Sequence, residues 1–103
     1  MIDIRISVDS LTMSITGHAG YAENGRDIVC AGVSMLAQTL AAHMARQADE
    51  EDLLRLDMDD GMALCMRPDG PRAEEYRGLY AFALEGLELL AGQYPEYVRI
   101  RTD

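Results

Sequence analysis

Tryptophan is absent, phenylalanine occurs once, and cysteine occurs only twice among 103 residues. Two cysteines make no disulfide framework, and no basic and apolar leader precedes the first alternating segment, so the expected setting is the reducing cytoplasm. Basic residues are also scarce, nine against 18 acids, for a formal net charge of -9. A surface of that sign repels phosphate backbones and anionic headgroups, which argues against nucleic acid and membrane surfaces as partners. It favours Lys- or Arg-rich partners, although excess charge also serves plain solubility. No apolar run reads as the roughly 20 residues that cross a bilayer. Phosphate-binding loops, dinucleotide fingerprints and a Ser-His-Asp signature are missing. Two histidines and two cysteines without paired spacing do not supply the ligands of a zinc site, so neither a metal nor another cofactor is expected.

What remains is an ordinary globular composition, 49% apolar and 26% charged, at a length that suits one hydrophobic core. Residues 1–103 are therefore expected to form a single domain. Ile2, Ile4, Ile6 and Val8 alternate with polar residues, and Leu11, Met13 and Ile15 repeat the pattern, which predicts an N-terminal hairpin turning at Asp9-Ser10. Asp27 is placed to cap a helix running to about Ala48, with Val29, Val33, Leu36, Ala37, Leu40 and Met44 as its buried stripe. Asp49-Glu50-Glu51-Asp52 then reads as a solvated connection. Leu54, Leu56 and Met58, the turn Asp60-Gly61, and Met62, Leu64 and Met66 predict a second hairpin.

Pro71 suits the first position of a second helix, whose stripe includes Tyr76, Tyr80, Ala83 and Leu87, with Gly92 near its stop. Gly78 and Gly86 inside that helix cost stability unless they permit close packing. A last strand spans Tyr97 to Thr102. The order β-β-α-β-β-α-β implies an α+β fold, a two-layer sandwich with a mainly antiparallel sheet of about five strands and two helices. A sheet with its other face uncovered, and Met and Leu side chains to hide, points to a homodimer.

The segment from Gly17 to Ser34 carries the chemistry. With Asp27 as the cap, Cys30 falls in the first helical turn, where the dipole and unpaired N–H groups favour a thiolate and offer hydrogen bonds to an oxyanion. His18 stands across a loop of eight residues, Ala19 to Arg26, that can fold back and bring an imidazole to the thiol. Spacing permits that dyad without requiring it. Cys30 equally suits a small buried apolar position between Val29 and Ala31, and His18 suits a strand end. Ser34 lies one turn beyond Cys30, roughly 6 Å along the axis. It either tunes the site or bonds a backbone carbonyl. Cys65 reads as structural, and His43 is too far along the helix to join Cys30.

Gly17-His18-Ala19, Gly25, Asp27-Ile28-Val29-Cys30-Ala31 and Val33-Ser34, with Tyr94-Pro95-Glu96-Tyr97-Val98 near the end, resemble the ribosomal-processing cysteine protease family (Prp) of bacteria. The resemblance implies a small cytoplasmic homodimeric endopeptidase. Its implied substrate is the N-terminal extension of a basic large-subunit ribosomal protein, L twenty-seven, removed during ribosome maturation. It implies Cys30 as nucleophile and His18 as general base and acid, with Asp27 and Ser34 at supporting motif positions. Gly20 and Gly25 would belong to a loop that moves over the peptide. The competing reading is a non-enzymatic acidic dimer that binds a basic ribosomal or assembly protein.

Overall fold

The computed structural model describes residues 1–23 and 26–103. Among the described residues the elements are β1 (Ile2–Ser7), β2 (Thr12–Thr16), α1 (Ile28–Gln47), a 3-10 turn (Glu50–Asp52), β3 (Leu53–Asp57), β4 (Met62–Met66), α2 (Ala73–Gln93) and β5 (Val98–Thr102). The strands form one sheet in the order β3-β4-β2-β1-β5. Three of its pairings are antiparallel, while β5 lies parallel to β1 in a register that sets Ile4 beside Ile100. The α+β architecture is thus the expected one, and the sheet is mixed.

Strict alternation makes one sheet face apolar. Ile2, Ile4, Ile6, Met13, Leu64 and Met66 are each at most 2% exposed, and both helices close over that face. Val29, Val33, Ala37, Leu40 and Met44 come from α1, and Tyr76, Tyr80, Ala83 and Leu87 from α2. The helices approach closely because glycines leave room for leucines. A Cβ at Gly32 would lie 3.2 Å from Leu90, and one at Gly86 would lie 3.0 Å from Leu36. Gly86 therefore has the packing reason that the sequence required of it, whereas nothing lies within 4 Å of a Cβ built at Gly78.

By length and composition α1 is also apolar enough to cross a membrane, which the sequence reading did not anticipate. Its buried stripe belongs to the same core as the sheet.

Local signals placed several boundaries differently. Leu11 was expected in the second strand but sits in the hairpin turn at φ +56°, a region costly for a residue with a Cβ. Two things hold it there: its side chain is fully buried, and its carbonyl accepts from the Met66 N–H at 2.9 Å and lies 3.0 Å from the Tyr80 hydroxyl. β3 is a bulged edge strand. A register shift between Leu53 and Arg55 turns Leu54 out, so the expected Leu54, Leu56 and Met58 face is largely exposed. Helix α2 starts at Ala73 rather than Pro71, because a turn from Gly70 to Ala73 comes first. The last strand begins at Val98, since Tyr94 to Tyr97 form a turn.

The acidic connection is not wholly solvated. Asp52 is 1% exposed. Its carboxylate accepts from the Tyr76 hydroxyl at 2.7 Å, and Arg67 stands 3.8 Å away. Burial and this carboxylate push the Tyr76 phenol up from its ordinary value. The apolar surplus also lies elsewhere than expected. The uncovered sheet face carries Asp3, Arg5, Ser14, Arg55, Asp57, Arg99 and Arg101, with Arg99 bonded to Asp3 at 2.7 Å. Large exposed apolar side chains are instead found on the helices, notably Met35, Phe82 and Leu89, and on the edge strand β3 at Leu54 and Leu56.

Removing the Tyr76 hydroxyl leaves a buried carboxylate with only a distant, part-exposed arginine. Tyr76→Phe is expected to cost about 1–3 kcal/mol in urea unfolding at neutral pH. An unchanged midpoint would show that Asp52 does not depend on that bond.

Candidate active site

The site begins where β2 runs out. Gly17 adopts φ +88°, and a Cβ there would come 2.3 Å from the Met1 carbonyl. Glycine is therefore required for the chain to leave the sheet beside β1. The Met1 backbone nitrogen donates to the His18 carbonyl at 2.5 Å, extending the β1–β2 ladder by one bond. That bond fixes the His18 backbone at the sheet's end while its side chain enters solvent.

Asp27 is the other anchor. Its extended backbone (φ -82°, ψ 99°) makes it the N-cap of α1, and Oδ1 accepts from the Val29 and Cys30 N–H groups, each at 3.0 Å. Its second oxygen, Oδ2, accepts from the Tyr21 N–H at 3.1 Å. One carboxylate thus ties the helix start to the loop. The Cys30 and Tyr21 N–H groups hold the Asp27 carboxyl below its ordinary value of 3.8 against the opposing effect of burial.

The loop does fold back. Ala19 is 5% exposed, and its N–H donates to the half-buried Cys30 Sγ at 3.3 Å. His18, Gly20, Ala22, Asp27, Cys30, Ala31 and Ser34 line a single cleft of about 620 Å³. That volume lies in the range of small-ligand and peptide side-chain sites. Gly20 takes φ +71° in open space. Gly25, also expected in the substrate loop, lies outside the described residues.

Cys65 and His43 do not belong to this cleft. Cys65 pairs with Thr12 in the sheet, and His43 lines a separate shallow depression with Thr39, Ala42, Arg46 and Gln47. No group of three or more His, Cys, Asp or Glu suited to a metal ion occurs among the described residues.

One expectation needs correction. The helix start was to supply free N–H groups to an oxyanion, but Val29 and Cys30 donate to Asp27 Oδ1, and Ala31 donates to the Asp27 carbonyl at 3.0 Å. Asp27, which starts the helix, consumes these three. The N–H that points at the sulfur comes from Ala19. Ala19 belongs to the Gly17-His18-Ala19 block of the sequence, but no role could be read for it there, because its role is a backbone bond across eleven residues of chain. The same holds for the Tyr21 ring, which packs edge-on against Tyr94 and Tyr97 with centroids 5.5 and 5.2 Å away.

A half-buried thiol at a capped helix start, with an imidazole lining the same cleft, has the layout of a thiol-dependent hydrolase. The comparisons agree. The family described as cysteine protease Prp matches residues 1–99. The ribosomal processing cysteine protease Prp of Bacillus subtilis (strain 168) is 32% identical, over 97% of this chain and 94% of that protein. The chain belongs to the Prp family of cysteine proteases.

Solved structures share the fold. The Staphylococcus aureus ribosomal processing protease Prp, in complex with a covalently linked product peptide, has a TM-score of 0.80 at 22% identity, each chain being covered in full. SMU.848 from Streptococcus mutans has a TM-score of 0.69 at 30% identity, over 98% of this chain and 90% of that one. Membership in a protease family sets aside the reading of a non-enzymatic module.

The Asp27 bonds predict a pH dependence. A carboxyl held lower in the folded state contributes stability that is present above its unfolded value, near 3.8, and lost as pH falls through the lower folded value. Asp27→Asn should therefore melt below the native protein at neutral pH, and the gap should close on acidification below pH 3.8. A gap independent of pH would assign the cap to its shape and not to its charge.

Proposed function

We propose that this protein is a cysteine endopeptidase that removes the N-terminal extension of large-subunit ribosomal protein L twenty-seven during ribosome maturation. Cys30 is its nucleophile, and His18 its general base and acid. The observation that carries this reading is the lining of one cleft by His18, Cys30, Asp27 and Ser34. Family membership supports the choice of a ribosomal substrate, since the Bacillus subtilis relative is named for ribosomal processing.

In this mechanism His18 takes the Cys30 thiol proton, and the sulfur attacks the scissile carbonyl to form a C–S bond. The tetrahedral intermediate collapses, the C–N bond breaks, and the departing amine takes the proton from His18. Water then attacks the thioester, His18 accepts its proton, and the acid product leaves with the thiol restored. Asp27 keeps the helix start and the loop in register during these steps, and Ser34 lines the cleft one turn beyond the nucleophile. Gly20 gives the loop freedom to move over the bound peptide.

The net charge of -9 favours encounter with a basic ribosomal protein. The enzyme is further proposed to work in the cytoplasm, where its free Cys30 and Cys65 remain reduced, and to do so as a homodimer. Phe82 and Leu89, 77% and 66% exposed on α2, support a second copy covering that helix. Sedimentation at micromolar concentration should give twice the 11.4 kDa chain mass; a monomer would overturn the dimer.

The direct test is incubation with a peptide spanning the extension and the following residues of the ribosomal protein. Cleavage at one bond is expected, reduced at least about 10³-fold in Cys30→Ala and in His18→Ala. No cleavage by the native protein, or cleavage that survives Cys30→Ala, would overturn the assignment.

A further inference from the structure

Tyr21 is anchored twice, although its ring takes no part in lining the cleft. Its neighbours Gly20 and Ala22 face the cleft, and its own ring leaves it to stand edge-on against Tyr94 and Tyr97, at interplanar angles of 81° to both. Its backbone N–H is bound to Asp27 Oδ2. A surface turn needs neither anchor to exist, and here two converge on one residue.

The platform beneath the ring is firm. Tyr94 is the C-cap of α2, and its carbonyl accepts from the Tyr97 N–H at 3.0 Å and the Val98 N–H at 3.2 Å. The Tyr97 carbonyl accepts from the Ile2 N–H at 2.8 Å, which joins the platform to β1. Edge-to-face rings at these separations attract through the aromatic quadrupole beyond their area of contact. No hydrogen bond is made by the Tyr21 hydroxyl among the described residues, so the contact belongs to the ring.

We propose that Tyr21 is a positioning residue: its ring pegs the cleft wall to the α2–β5 junction and thereby holds the Ala19 N–H against the Cys30 sulfur. The peg sets where the loop rests over the nucleophile, two residues from the N–H that meets Sγ. Tyr94 and Tyr97 join the site through this ring without touching the reacting atoms. The kinetic part of this inference rests on the peptidase reading of the cleft, and the structural part does not.

Two measurements on Tyr21→Ala and Tyr21→Phe test it. Hydrogen exchange at the Ala19 and Tyr21 amides should quicken about tenfold in Tyr21→Ala, the size expected when two edge-to-face contacts are lost, and stay native in Tyr21→Phe. With the ribosomal-extension peptide, kcat should fall about tenfold in Tyr21→Ala while KM changes less, and Tyr21→Phe should restore kcat. Adding Tyr97→Ala to Tyr21→Ala should change little further, since Tyr21→Ala has already removed the contact that Tyr97→Ala takes away. Unchanged exchange, unchanged kcat, or a Tyr21→Phe variant as impaired as Tyr21→Ala each overturns the proposal. Should the native protein not cut the peptide, the peptidase reading falls, and the exchange comparison alone decides whether the peg exists.

Discussion

Both oxygens of the Asp27 carboxylate are occupied, one by the start of α1 and the other by the loop that follows β2. Everything distinctive about the cleft follows from that division. With only its helix-facing oxygen, Asp27 would be an ordinary N-cap, worth a modest gain in helix stability. The second oxygen converts the cap into a clamp, because it ties the loop that follows His18 to the helix that carries Cys30. The clamp also has a chemical consequence. By accepting from Val29 and Cys30, it withdraws two of the donors a helix start commonly offers to an anion, and the Ala19 N–H faces the sulfur.

The sheet supports this arrangement from behind. Ladder bonds carry order from the α2–β5 junction through Tyr97 to Ile2, along β1, and across from Met1 to His18. The loop is therefore held at both ends by regular structure, and its first residues also by the Asp27 carboxylate and the Cys30 sulfur. Closely packed glycine and leucine contacts between α1 and α2 keep the Cys30 helix fixed with respect to the same junction. A small protein achieves a defined cleft by sharing its few long-range contacts between core and site.

Much of this was legible because it is local. The Asp27 cap and the Cys30 position in the first turn each depend on residues within a few places of one another, and alternation identified both hairpins. Features decided by distant partners were not legible. Leu11 occupies a left-handed conformation because Met66 and Tyr80 hold its carbonyl, and no neighbouring residue announces that. Asp52 looks like one acid among four until Tyr76, 24 positions on, draws it inward. The parallel partnership of β5 with β1 joins opposite ends of the chain. His18 could be placed near Cys30 by loop length, but the inward turn of Ala19 and the resting place of Tyr21 depend on atoms contributed from elsewhere in the fold.

The polar, uncovered face of the sheet bears on how the molecule meets other molecules. Four of its nine basic residues, Arg5, Arg55, Arg99 and Arg101, stand on that face, accompanied by Asp3 and Asp57. Most of the 18 acids are consequently left to the helices, the turns and the loops. Within the helices stand four of them, Glu74, Glu75, Glu85 and Glu88, all on α2. The attraction that a cationic chain feels on approach is therefore set mainly by the turns and loops that join the elements.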